Sequence, residues 1–182
     1  ALLFASQSTK ASTDPEETAA PSLTPISSTT INVSLELQDE ARNPNDASAT
    51  FALYNSTDDV YIQTNGIATT TPVFYPSSTW PGTVSVQSLT PNTAYSFAII
   101  AEAGGALVTS TLATAHTLAA APTALSVDAV ATSSVTLSWD ANSNPEGTVY
   151  TVTTTDQTVT TTDTSITISN LLFDTPYTFT VF

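Results

Sequence analysis

Apolar and polar residues alternate one for one along this chain, in short runs set apart by turn-forming residues. The run Thr30-Ile31-Asn32-Val33-Ser34-Leu35-Glu36-Leu37 puts Ile31, Val33, Leu35 and Leu37 on one side, the pattern of a strand with one buried face. Phe51 and Leu53 mark a second strand, and Val60, Tyr61 and Ile62 a third. Thr83–Leu89 leads into Pro91–Ile99, and a further strand begins at Ala106-Leu107-Val108. Later come Leu125 and Val127, then Val135, Leu137 and Trp139, then Tyr150 and Val152, then Ile166, Ile168 and Leu171. The last run sets Tyr177, Phe179 and Val181 against threonines. Asn65-Gly66, Gly104-Gly105 and Asn144-Pro145-Glu146-Gly147 supply turn chemistry between the runs. No segment carries a 3.6-residue period, so strands are expected throughout and helices nowhere.

The alternating runs recur as a repeat. Ser133-Ser134-Val135-Thr136-Leu137-Ser138-Trp139 aligns with Thr29-Thr30-Ile31-Asn32-Val33-Ser34-Leu35. Leu171 through Phe179 aligns with Leu89 through Phe97. Leu35 to Tyr95 is 60 residues and Trp139 to Tyr177 is 38, so the first copy carries about 22 extra residues, mostly between Asp58 and Trp80.

On these residues the copies resemble fibronectin type III domains, seven-stranded sandwiches of the immunoglobulin-like class. The first matches a Leu-x-Pro-x-Thr-x-Tyr run in full with Leu89, Pro91, Thr93 and Tyr95. The second matches with Leu171, Thr175 and Tyr177 but has Phe173 in place of proline. The resemblance implies a core tryptophan at Trp139, where the first copy has Leu35. It also implies tyrosine corners at Tyr95 and Tyr177, whose hydroxyls bond back to nearby backbone. It implies a spacer or adhesion module rather than an enzyme. The expected organisation is an N-terminal extension at 1–18 (donor strand 1–8 plus linker), a first sandwich at 19–118 with an insertion near 58–80, and a second, incomplete sandwich at 119–182.

The second copy ends at Phe182, before a counterpart to the strand starting at Ala106. The N-terminus has Ala1-Leu2-Leu3-Phe4-Ala5-Ser6, a polar stretch, then Ala19-Ala20-Pro21, the same order of parts as Ala106 through Ala120-Ala121-Pro122. The expectation is therefore an all-β chain of two tandem sandwiches, the second lacking its last strand. An open edge of this kind is a template for strand addition. The acceptor would be lined by Tyr177, Phe179 and Val181, and the donor would be Ala1, Leu2, Leu3, Phe4 and Ala5 of another copy. Burying two or three large side chains there contributes on the order of 3–9 kcal/mol. Head-to-tail contacts do not close, so they build filaments. The alternative is a spacer, carbohydrate-binding or adhesive fragment of a larger secreted multidomain protein.

Composition narrows the chemistry. Two Lys+Arg against 16 Asp+Glu give a net charge of −14, which excludes a nucleic-acid surface and electrostatic attachment to anionic lipid. Cysteine is absent, removing disulfides and thiol chemistry. No apolar run reaches the ~20 residues of a membrane helix, so no membrane insertion is expected. The absence of methionine points to a processed chain or a fragment, and the acidic, Thr-rich composition to an extracellular or cell-surface setting.

His116 is the only histidine, no Gly-x-Ser-x-Gly elbow surrounds a serine, and the acidic pairs lack the spacing of a calcium loop. No cofactor, metal site or catalytic residue is expected. Asn32-Val33-Ser34 and Asn55-Ser56-Thr57 are sequons for covalent glycans, with Asn32 pointing away from the core. Phe74, Tyr75 and Trp80 could present a carbohydrate-binding face, though packing onto the sandwich is the simpler expectation.

Overall fold

The computed structural model describes residues 19–37 and 49–182. Strands β1 (Ser22–Ser27), β2 (Thr30–Ser34), β3 (Thr50–Asn55), β4 (Val60–Ile62), β5 (Ala68–Thr69), β6 (Tyr75–Pro76) and β7 (Thr83–Val86) come first. They are followed by β8 (Ala94–Ala103), β9 (Ala106–Thr109) and β10 (Ala113–His116). The later set is β11 (Thr123–Val130), β12 (Ser134–Asp140), β13 (Tyr150–Thr153), β14 (Thr158–Thr161), β15 (Ser165–Ser169) and β16 (Thr180–Val181). The one helical element among the described residues is a 3-10 turn at Ser77–Thr79, where the periodicity predicts none.

The chain divides into two compact units. The first includes Ile31–Gln87 and Ala94–Ala115; the second comprises Pro25–Thr30, Ser88–Thr93 and His116–Phe182.

In the first, β2 pairs antiparallel with β7 so that Ile31 faces Val86 and Val33 faces Val84. All four are fully buried, as the period-2 pattern requires. A larger sheet runs β10-β8-β3-β4-β5, with β9 also on β8 and β6 also on β3. Its inner face adds Phe51, Leu53, Phe97 and Ile99 to the core.

The extra residues of the first copy form β5, β6 and the 3-10 turn. β6 takes the stretch of β3 at Thr50–Phe51 that β4, paired at Leu53–Asn55, leaves open. The turn delivers Trp80 into the core, where its indole N–H donates to the Phe51 carbonyl at 3.1 Å and its ring meets Tyr75 edge-on. Gly66 closes the preceding turn at φ +82°, its amide donating to Gln63. A Cβ there would run into the Ser85 carbonyl, so both the backbone angle and the space require glycine.

In the second unit, one sheet is β11-β12-β15 and the other β14-β13-β16. Leu137, Trp139, Tyr150, Val152, Ile168 and Leu171 form the core between them. Trp139 and Tyr150 meet edge-on at 5.6 Å.

The aligned runs share backbone detail. Ser88 and Asn170 have φ of 61° and 62°, and Asn92 and Asp174 have 45° and 51°. The Thr93 hydroxyl donates to the Pro91 carbonyl at 2.8 Å, and the Thr175 hydroxyl to the Phe173 carbonyl at 3.1 Å. Leu89 N–H donates to Thr29, and Leu171 N–H to Ser133. These matching bonds make Tyr177 the structural counterpart of Tyr95, Phe179 of Phe97 and Val181 of Ile99.

Candidate functional site

β16 lies at the edge of its sheet. It pairs on one side with β13, Val152 opposite Val181 and Thr153 opposite Thr180. Phe182 and Thr151 exchange both backbone bonds, at 2.8 and 3.1 Å. Because antiparallel bonding alternates, the N–H and C=O of Val181 then point away from β13. On that side the described residues place no strand. Tyr177, Phe179 and Val181 are half-buried against the core, and the rings of Tyr177 and Phe179 lie 6.4 Å apart. The Tyr177 hydroxyl accepts the Leu172 N–H at 2.9 Å, tying the ring to the turn before it.

The counterpart strand β8 is covered on that side. Ser110 N–H donates to the Ile99 carbonyl at 2.9 Å, and the Ile99 N–H donates to the Ser110 hydroxyl at 2.9 Å. Further along, the Thr117 N–H donates to the Thr93 carbonyl, and the Thr93 N–H donates to the Thr117 hydroxyl, both at 3.0 Å. The strand expected to start at Ala106 is split. The Gly104-Gly105 turn folds β9 onto residues 100–103, so cover for Thr93–Ile99 falls to Ser110–Thr117. Residue order gives no sign of Ser110 and Thr117, because two buried hydroxyls at strand ends leave no periodic trace.

Apolar surface is also exposed on the other sheet of the second unit. All eight residues of β11 are exposed, with Val127 at 56% and Val130 at 74% of full accessibility. The corresponding β1 alternates between exposed and half-buried positions. Beyond the end of β11 a cleft of about 420 Å³ lies among Val130, Val135, Leu171, Leu172, Pro176 and Tyr177.

The remaining residues with a sequence-based expectation occupy varied settings. Ala1, Leu2, Leu3, Phe4 and Ala5 lie outside the described residues. Trp139 is buried, and its indole nitrogen has no hydrogen-bond partner. Tyr95 is buried in the first copy's corner. Asn32 sits on the outer side of β2 between buried Ile31 and Val33, its side-chain oxygen accepting the Ser85 hydroxyl at 2.6 Å. Asn55 is only 1% exposed. Its amide nitrogen donates to Asp58 at 2.9 Å and its oxygen accepts the Thr57 N–H, so a sugar on that nitrogen would have to displace the Asp58 bond. Burial of Trp80 leaves Phe74 and Tyr75 without a tryptophan on any shared outer face.

His116 is exposed on β10. No group of three or more His, Asp or Glu residues able to hold a metal occurs among the described residues. No helix among them is long and apolar enough to cross a membrane. The Tyr54 hydroxyl is held above its ordinary pKa by its 2.8 Å bond to Asp59, then by partial burial and by that carboxylate's charge.

Residues 120–182 match the family model described as the fibronectin type III domain. No curated protein sequence matches the chain. Among solved structures, a two fibronectin type-III domain segment from chicken tenascin is similar at 14% identity and a TM-score of 0.57, covering 91% of this chain and 90% of that one. The chicken CNTN1 FN1-FN3 domains align at 17% identity and a TM-score of 0.37, over 92% of this chain and 62% of that one. A fibronectin type-III domain of human fibronectin type III domain containing protein 3 aligns at 21% identity and a TM-score of 0.40, over 60% and 92%. The tenascin likeness shows the fold, an all-β chain of fibronectin type III sandwich architecture.

Proposed function

We propose that this chain is a non-catalytic structural subunit of an extracellular filament, its copies joined head to tail by strand insertion. Residues Ala1–Ala5 of one copy would lie beside β16 of the next. The observation that carries this reading is the contrast at equivalent backbone: Ile99 is bonded by Ser110, while the N–H and C=O of Val181 point to an open side. Ala-Leu-Leu-Phe-Ala suits the seat because an inserted strand turns alternate side chains inward, bringing Leu2 and Phe4 towards Tyr177 and Phe179. Each ladder bond formed adds roughly 0.5–1.5 kcal/mol. Fibronectin type III domains usually occur in extracellular or surface proteins, which supports the setting.

Electron microscopy and sedimentation of the full chain and of a chain lacking residues 1–8 test the reading. The full chain is expected to form filaments with a repeat of two sandwiches, and the shortened chain to sediment as monomers. Filaments that survive the deletion would rule out insertion of this segment.

A second reading is favoured by the family match over 120–182 and the tandem likeness to the tenascin segment. The chain is then a spacer or adhesive fragment of a larger secreted protein. A spacer stays monomeric at every concentration, with or without residues 1–8.

A further inference from the structure

Equivalent turns in the two copies differ sharply in what surrounds them. The Ser88–Thr93 turn belongs to the second unit and is bonded within it. Asn92 N–H donates to the Leu118 carbonyl at 3.1 Å, and the Asn92 amide donates to the Thr148 hydroxyl at 3.0 Å. Thr90 and Pro91 line a small cleft together with Ala120, Asn142 and Ser143. The chain passing there is Ala120-Ala121-Pro122. Asn144 holds it through both backbone groups of Ala120, and Asn142 through the Ala121 carbonyl.

The counterpart turn, Asn170–Thr175, carries Leu172 where the first has Thr90, and Phe173 where it has Pro91. Leu172 is 67% exposed and lines the cleft with Val130 and Tyr177, and Phe173 next to it in sequence is 76% exposed. An apolar pair that nothing covers, at a position where a polar residue and a proline stand in the covered turn, marks a contact surface. Residues Ala19-Ala20-Pro21 repeat the Ala-Ala-Pro passage and follow the proposed donor strand, as Ala120-Ala121-Pro122 follows β10.

Building on the filament reading, we infer that Leu172 and Phe173 form a second docking surface for the incoming copy. It receives that copy at Ala19-Ala20-Pro21 once its strand has run along β16. The occupant is a second copy of this chain. The strand would supply registry through backbone bonds. The Leu172–Phe173 turn would fix the angle at which the next subunit leaves, replacing a loose tether with a defined joint.

The test is the full chain carrying Leu172→Ser together with Phe173→Ser. Both side chains are exposed, so the melting temperature of the monomer is expected to stay unchanged. Two measurements run in parallel: self-association by sedimentation velocity, and binding of a synthetic Ala1–Ser8 peptide by calorimetry. The double variant is expected to need about ten-fold more protein to associate, the effect of removing one well-buried apolar side chain from an interface, while still binding the peptide as the parent does. Parent-like association of the variant alongside peptide binding would overturn the second surface and leave strand insertion standing. A peptide that fails to bind, with association still weakened in the variant, would keep this surface and overturn strand insertion. A parent chain that never associates would overturn the docking surface outright.

Discussion

The strands β8 and β16 occupy corresponding places in two copies of one design, yet among the described residues only β8 has a neighbour on both edges. Both follow a turn closed by a threonine hydroxyl on a carbonyl two residues back, and Tyr95, Phe97 and Ile99 of β8 correspond to Tyr177, Phe179 and Val181, of which only Val181 lies in the two-residue β16. β8 has neighbours on both edges, and its Phe97 and Ile99 are fully buried. Among the described residues β16 has β13 alone; Phe179, just before it, and Val181 remain half-exposed, and the residues of β11 in the other sheet are exposed. Burial of an inward position in a sandwich is therefore set by the completeness of the sheet around it as much as by the alternation of the strand that carries it.

Truncating equivalent rings should separate the two environments most strongly. Phe97→Ala is expected to cost the first unit about 3–5 kcal/mol, the usual penalty for emptying a closed core. Phe179→Ala should cost the second about 1–2 kcal/mol, since part of the ring already meets water. Each unit contains one of the chain's two tryptophans, Trp80 or Trp139. Urea unfolding followed by fluorescence in Trp80→Phe and Trp139→Phe backgrounds therefore reads each unit alone. Equal costs for the two truncations would mean that β16 is as enclosed as β8.

Hydroxyls on the covered edge form the next tier. Thr117 is buried, takes the Thr93 N–H and donates to the Thr90 carbonyl at 2.6 Å. Thr117→Ala leaves those groups unsatisfied and is expected to destabilise by about 1–3 kcal/mol. Thr175 is exposed and bonds only within its own turn. Thr175→Ala is expected to stay within about 0.5 kcal/mol. A large effect at Thr175 would show that its side of β16 is already covered.

Much of this contrast is legible from residue order, and the reason is periodicity. Strands β2, β3, β8, β12 and β13 follow from period-2 runs, and the Leu89–Tyr95 and Leu171–Tyr177 runs align because one backbone path imposes the same positive-φ turns on both. Structure held by single polar contacts or single bonds stays hidden. β5 and β6 are two residues each, too short to alternate. Trp80 reads as an aromatic among prolines with no partner in view, but its indole reaches the Phe51 carbonyl across the chain. Asn55 reads as a sequon, yet its amide caps the Asp58 turn from inside. At the break between β9 and β10 the Ser110 hydroxyl accepts the Ile99 amide where a ladder carbonyl would otherwise stand. None of these contacts has a spacing rule that residue order alone could reveal.

Charge provides the mildest way to separate an internal seat from an intermolecular one. The cover of β8 arrives on its own chain, so folding of the first unit involves no approach of one −14 molecule to another. Insertion beside β16, as proposed, would involve such an approach, with each copy repelling the next. Raising salt from 0.01 to 0.1 M shortens the screening length from about 30 Å to about 10 Å. Association of the full chain should then tighten by roughly several-fold, while the urea midpoint of the first unit shifts little. Sedimentation equilibrium at the two salt levels, paired with Trp80 fluorescence in the Trp139→Phe background, measures both. Association that weakens with salt would mean that copies meet through ion pairs, which an apolar strand and the Leu172–Phe173 turn do not supply.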